Sequence, residues 1–439
     1  MFFKLKFTEK IKIIKNIFRT KQRKTFLLHL VYSIIEGIIL GFLALNEFVL
    51  IKGLDGSNNQ IGILFQFAVI VLLFSVIFNE FFKRSRNKKR LLRFAAIITR
   101  LPLILFLFFP KTPNAADLFS YQLIFLVIFF IFYLANPIIM PAINIFLKKN
   151  YTHENFSKLY SYATTVNKIV MLFATFAFGI ILDINPNSYI YFYPSIAFLG
   201  ILSVFILTKI DFEQSNEIIP KNGFFNSIKD SFKNMNSIIK KNKPFRDFET
   251  GFMFYGFAWM LAVAVIAIFM SKKLDLNYTS LAFYKNSYNI VSILITPFFG
   301  KLMGKIDPRK FSVYTYAAML IYILFMGLTE YFPAKFEFMG LTIYYSLIIS
   351  FFSYGIFGAM MSLLWYIGTA YFCDDNQSAD YQAIHLNLTG LRGAFIPLTG
   401  VLLYSKIGYS GIFGLGVFFL FIAIIVNILS IKKENKIIR

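Results

Sequence analysis

Twelve apolar stretches, candidates for crossing a bilayer, recur along this 439-residue chain. A spanning helix needs about 20 predominantly apolar residues. The stretches lie at 26–50, 61–82, 94–109, 119–146, 158–182 and 189–208, and again at 248–270, 279–300, 311–329, 341–370, 380–405 and 411–431. Too little polar chain remains for a soluble domain. Charged residues make up only 15% of the sequence, against about 25% in soluble domains. The predicted class is an all-α polytopic membrane protein with twelve transmembrane helices.

The net charge is +23. On a soluble protein this would point to nucleic acid. Here the basic residues cluster between apolar runs, where they set topology and meet anionic headgroups. Nucleic acid is therefore not an expected partner; the lipid bilayer is. With the N-terminus inside, 35 Lys/Arg fall on inside segments and six on outside loops. That bias predicts both termini cytoplasmic, in a cell (plasma or inner) membrane. The first apolar run follows nine Lys/Arg and is too long for a cleavable signal. Apolar residues interleave with those lysines, and predict a basic segment lying on the membrane face.

The polar stretch 209–246 divides the chain. The expected organisation is a basic segment 1–25, a six-helix bundle 26–208, a cytoplasmic linker 209–246, a second bundle 247–431 and a tail 432–439. Phe224, Phe225, Ile228, Phe232, Met235, Ile238 and Ile239 give the linker the spacing of a surface amphipathic helix. The halves also echo each other. Between segments 8 and 9 the chain reads GKLMGKIDPRK, from Gly300 to Lys310. Between segments 2 and 3, 221 residues earlier, it reads NEFFKRSRNKK. Both turns are basic and both lie on the inside, so the halves are parallel repeats.

With these features the sequence resembles the major facilitator superfamily, whose loop signature is G-x-x-x-D-R/K-x-G-R/K-R/K. Gly300 fits the first glycine, Lys305 the basic position, and Arg309 and Lys310 the terminal pair. Asp307-Pro308 stands where the second glycine turns the chain, and Gly304 replaces the acid. The first copy keeps only basic residues, Arg84 and Lys88 among them. The resemblance implies two six-helix bundles, with helices 1, 4, 7 and 10 lining a central cavity and 2, 5, 8 and 11 flanking it. It also implies that these loops gate the inner face. Segment 4 lacks an arginine, and segment 5 reads FAFGIILDI without a Gly-Pro pair, so no proton-antiporter signature is present.

Charges inside the spans are the candidate site, because each costs on the order of 3 kcal/mol at mid-bilayer. Glu36, Lys168 and Arg392 each lie about 15–18 Å along their segments. A Glu36–Lys168 ion pair is one reading. Arg392 has no acid at matching depth in its half, and an unpaired arginine suits a carboxylate or phosphate. His385 lies two turns away on the same face, as a cavity wall or a titrating group. Lys285 snorkels or lines an outward cavity. Asn289 and Asn136 are polar candidates on segments 8 and 4. Arg100 is expected to snorkel, and Glu47 and Glu249, close to helix ends, to be solvated or interfacial.

No phosphate loop, hydrolase elbow or metal cluster is present, and the lone Cys373 rules out an internal disulfide. No cofactor is expected. The expected function is secondary active transport of a small, anionic solute by alternating access. A proton or sodium ion is the candidate co-ion, and the expected state is a monomer. A proton-coupled drug or metabolite exporter and a lipid flippase stay open as alternatives, with an intramembrane enzyme or sensor last.

Overall fold

A computed structural model describes residues 21–74, 77–78, 81, 84–111, 115–151, 153–211, 224–373 and 378–437. The expected N-terminal surface segment lies almost wholly outside the described residues. Among the described residues, nine helices are long and apolar enough to span a membrane. One of these, Asp380–Glu434, holds two spans divided at Gly408, whose φ of 69° ends one helix and starts the next. The shorter Asn58–Phe74 and the polar Tyr278–Met303 complete twelve.

The spans are α1 (Gln22–Gly53), α2 (Asn58–Phe74), α3 (Lys88–Phe108), α4 (Ala115–Tyr133 and Asn136–Asn150), α5 (His153–Ile184), α6 (Tyr189–Leu207), α7 (Lys243–Lys273), α8 (Tyr278–Met303), α9 (Pro308–Tyr331), α10 (Tyr345–Leu363, continuing to Phe372), α11 (378–407) and α12 (409–437). The linker carries a helix, Phe224–Lys241, whose Met235, Ile238 and Ile239 pack on the core. In one bundle α1 packs against α5 and α6, and α6 against α3; in the other α7, α9, α10 and α12 pack together.

Among the described residues, three helices break inside the membrane. α1 breaks at Ala44–Leu45, α4 at Leu134–Ala135 and α11 at Ala394–Phe395. A break frees carbonyls from the helical ladder, and these need partners in an apolar medium. Two are claimed from the opposite bundle. Ala44 O accepts from Lys285 Nζ, and Ala394 O accepts from Gln66 Nε2.

The segment expected as a helix from 341 begins instead as a strand. Lys335–Phe338 (β1) and Leu341–Tyr344 (β2) form an antiparallel hairpin. Met339 and Gly340 both have positive φ, as a two-residue hairpin turn demands.

The internal repeat is clearer in the backbone than in the basic loops. α1 ends in a π-turn at Val49–Gly53 and α7 in one at Phe269–Lys273. Each is followed by an aspartate in the left-handed region, Asp55 and Asp275, both at φ 47°. Each then enters a helix capped by a side chain, Ser57 or Asn277. The offset here is 220 residues, one less than the loops suggest.

Candidate transport site

The two bundles are joined at the end opposite the basic loops. Lys52 of α1 pairs with Asp275 of the second bundle at 3.5 Å. The symmetry-related Lys272 donates to Asn58 Oδ1 at 3.2 Å. Asp183, at the end of α5, accepts from the backbone N–H of Tyr278 (2.8 Å) and of Thr279 (2.7 Å) and from the Thr279 hydroxyl. It thereby caps the first turn of α8 with charge of the right sign. Deeper, Lys285 of α8 pairs with Glu47 of α1 and lies over the Phe48 ring at 5.1 Å. Glu47 is therefore not solvated: it is only 4% exposed. Lys285 does not snorkel, because a buried carboxylate and a freed carbonyl hold it. Asn286 donates to Leu172 O at 2.9 Å, midway along α5. Among the described residues, these polar ties between bundles run from the far end to mid-membrane.

Below them, α5 presents two distinct faces. Tyr162, Ile169, Phe173, Ile180 and Ile184 form an exposed apolar stripe suited to lipid. Ser161, Thr165 and Lys168 recur at four and three residues, so they share another face, about 100° away by the helical rotation. Ser161 and Thr165 are exposed and Lys168 is half-buried. The expected Glu36–Lys168 pair does not form. Glu36 instead accepts from Ser203 Oγ at 2.6 Å and faces Arg100 across the bundle. Lys168 has no charged partner among the described residues.

Arg100 does not snorkel. It is 4% exposed, donates to Thr99 Oγ1 at 2.7 Å, lies over the Phe132 ring at 4.9 Å and folds into the notch left by Gly200. The reason is α6: Gly200 lets the Arg100 stem in, where a Cβ would collide with its Cγ.

In the second bundle, Arg392 is also buried. Its guanidinium occupies the notch of Gly256, donates to Phe252 O and to Thr389 Oγ1 (3.4 Å), and lies 5.0 Å and 5.7 Å from the Phe252 and Tyr255 rings. It does have an acid within electrostatic reach, Glu249 of α7. Glu249 is buried, not interfacial, and hydrogen-bonds His385 Nδ1 at 2.9 Å. Sequence reasoning missed Glu249 because depth was counted from helix ends, and a neighbour on α11 covers that end. His385 is fully buried, so it is no cavity wall.

Asn289 donates to its own helix, at Lys285 O (2.8 Å). Asn136 is half-buried and opens the second part of α4 after its break.

Of the loop candidates, Gly300, Gly304, Lys305 and Lys310 are exposed. Asp307 and Arg309 are engaged. Asp307 accepts from Arg309 N (2.7 Å) and Arg309 Nη2 (2.7 Å), and Arg309 also pairs with Glu434 and donates to Ser430 Oγ at 3.0 Å. Ser430 in turn donates to Asp247 of α7 at 2.8 Å. Asp307 and Glu434 are thus the acids that engage Arg309 in this turn. Burial disfavours the Asp307 charge, but hydrogen bonds from the Arg309 side chain and backbone outweigh it. They hold the carboxyl below its ordinary 3.8. In the first copy, Arg84 is half-buried and Lys88 is buried.

The family model for the Major Facilitator Superfamily matches residues 25–372. The chain belongs to the major facilitator superfamily. Solved major facilitator structures share its fold. The nucleoside transporter NupG superposes with a TM-score of 0.65 at 11% identity, over 94% of this chain and 99% of that one. The partially occluded, inward-open xylose transporter XylE from E. coli gives 0.62 at 13%, over 92% and 96%. A bacterial homolog of the human lysosomal transporter Spinster, inward-facing and unoccupied, gives 0.60 at 15%, over 94% and 97%. No curated protein matches the chain in sequence. As a major facilitator, the chain has the fold of a transporter, built as two six-helix bundles that face each other across α1, α2, α5, α7, α8 and α11.

Proposed function

We propose that this major facilitator moves a small anionic solute across the cell membrane by alternating access, with its basic end cytoplasmic. The two bundles, 26–208 and 247–431, rock about the ties at the outer end, and the linker 209–246 tethers them. In this reading, with those ties closed, the carrier opens inward.

The observation that carries the reading is Lys168. A cation midway along a spanning helix costs on the order of 3 kcal/mol unless it is wet, paired or bound. Lys168 has no charged partner among the described residues, yet shares a face with two exposed hydroxyl residues. An anion entering between the bundles meets this amine and the hydroxyls of Ser161 and Thr165. Arg392 is held by Phe252 and Glu249, so it contributes field more than contact. The proteins whose fold is shared include a nucleoside transporter and a xylose transporter, both carriers of small solutes.

The test is thermal stabilisation of the purified protein by a panel of carboxylates, sugar phosphates and neutral sugars. A solute at 100 times its Kd stabilises by about 2.7 kcal/mol. The reading expects an anion to stabilise the wild type and Lys168→Met to lose that response. Stabilisation by neutral sugars alone, or an undiminished response in Lys168→Met, would overturn it.

A further inference from the structure

A groove at the basic end of the first bundle, where the chain passes from α2 to α3, is left unused by solute binding at Lys168. Its volume is about 790 Å³. Three arginines, Arg84, Arg90 and Arg93, contribute to its lining, and no acid does. Cations gathered without a counter-charge repel one another, and an anion placed among them relieves that repulsion.

Two of these arginines are held by their surroundings. Arg93 Nε donates to Thr208 Oγ1 at 2.8 Å, and the guanidinium lies over the Phe205 ring of α6 at 5.2 Å. Asn87 Oδ1 accepts from the backbone N–H of Arg90 at 2.9 Å, which fixes the first turn of α3. The acid at this corner, Asp211, is already shared. It pairs with Lys24 at 3.4 Å and lies within electrostatic reach of Lys89. The related turn of the second bundle is built differently. There Arg309 is met by Asp307 and Glu434 from within the chain. The lining of the first-bundle groove supplies cations alone, so its anion comes from outside.

The chemistry of that anion follows from what lies below the arginines. Phe94, Ile97 and Leu101 follow Arg90 at four, seven and eleven residues, so the four share one face of α3. All four are exposed. Arg90 and Leu101 are about 16 Å apart along the axis by the helical rise. One leaflet of hydrocarbon is about half of 30 Å. A free phosphate would meet the arginines and leave the apolar stripe without a partner. A phospholipid meets both. A zwitterionic headgroup would bring a cation back among the arginines, so the match is to an acidic one.

We propose that this groove is a discrete binding site for an acidic phospholipid of the leaflet at the basic end. The phosphate sits among Arg84, Arg90 and Arg93, and an acyl chain runs along Phe94, Ile97 and Leu101. Ser85 lines the same groove and offers its hydroxyl to the headgroup. The site does not depend on the transport reading.

The chain has two tryptophans, so a Trp259→Phe, Trp365→Phe, Leu101→Trp variant carries one indole beside the acyl stripe. The whole protein is reconstituted into phosphatidylcholine vesicles with a rising fraction of phosphatidylglycerol, one of the two lipids being brominated in its chains to quench that indole. Brominated phosphatidylglycerol is expected to quench several-fold more than its mole fraction predicts. Arg90→Gln should weaken that preference about fivefold, the effect of one interfacial cation on acidic-lipid binding. The same indole at Ile321, 220 residues on in the exposed face of α9, should be quenched in proportion to mole fraction. Quenching in proportion at Leu101→Trp, an equal preference at Ile321→Trp, or no change in Arg90→Gln overturns the site. Loss of the preference in millimolar inorganic phosphate overturns the lipid and assigns the arginines to a free anion. If the reporter variant does not fold, native mass spectrometry of the wild type and Arg90→Gln decides. The wild type should retain phosphatidylglycerol over phosphatidylcholine, and equal retention of the two lipids overturns the proposal.

Discussion

Glu47 and Lys285 form an ion pair between the two bundles, with the carboxylate side chain 6% and the amine 27% exposed. Removing one partner of a buried pair costs about 3–5 kcal/mol, because the other charge is left unpaired. The exposure of Lys285 places this pair at the low end. Under the proposed alternating access, the pair parts when the outer end opens. Glu47→Gln is thus expected to favour the outward-open arrangement. Spin-label distances between the outer ends of α1 and α8 should lengthen in Glu47→Gln and recover in the double exchange Glu47→Lys with Lys285→Glu. Unchanged distances would count against a latch.

Asp183 adds a second tie of different kind. It caps α8 from the opposite bundle, satisfying the Tyr278 and Thr279 N–H groups. Losing a helix cap costs about 0.5–2 kcal/mol. Asp183→Ala should raise the accessibility of a cysteine placed at Thr279, with little loss of total fold. A cysteine equally slow to react in both backgrounds would show that the cap does not hold the bundles together.

Gly256 makes room for Arg392, since a Cβ there would collide with the guanidinium. Overpacking of this kind costs about 1–3 kcal/mol. Gly256→Ala should lower the melting temperature and disturb the His385 cluster. Gly300→Ala serves as the contrast. A Cβ at Gly300 has nothing within 4 Å, and alanine is the better helix former by up to about 1 kcal/mol. It should be neutral or stabilising. Equal losses in the two variants would remove the steric account.

The Asp307–Arg309 tie carries a pH dependence of defined sign. The Asp307 carboxyl is held below 3.8 by the Arg309 hydrogen bonds, which outweigh its burial. Its contribution is therefore fully present above 3.8 and disappears as pH falls through the depressed folded value. Stability should show no loss from this pair between pH 7 and pH 5. Asp307→Asn should lower stability at pH 7 by on the order of 1 kcal/mol, given the partial exposure of the pair. The difference from wild type should close only in strong acid. A gap that closes near neutral pH would assign the effect elsewhere.

The membrane-spanning fold was legible because it follows from one-dimensional facts. Apolar runs of fixed length must be helices in lipid, and Lys/Arg bias orders the loops. The site was less legible. Arg100, Glu47, Glu249 and Lys285 were judged by depth along single helices, and all four are settled by a neighbour on another helix. Arg100 is buried because Gly200 of α6 receives it. Lys285 finds Glu47 because α1 breaks beside it and α8 crosses there. The Glu36–Lys168 pair looked right on depth alone, but α5 turns Lys168 away from Glu36.

The sequence by itself determined the twelve spans, the basic loops and the set of charges placed in the membrane. Apolar length and charge are local properties, and the bilayer reads them locally. Only the tertiary structure decided which charges are matched, Glu47 with Lys285 and Glu249 with His385, and that Lys168 stands without a charged partner among the described residues. Pairing depends on helix rotation and on the small residues that let helices approach, and neither is written in the depth of a residue along its own span.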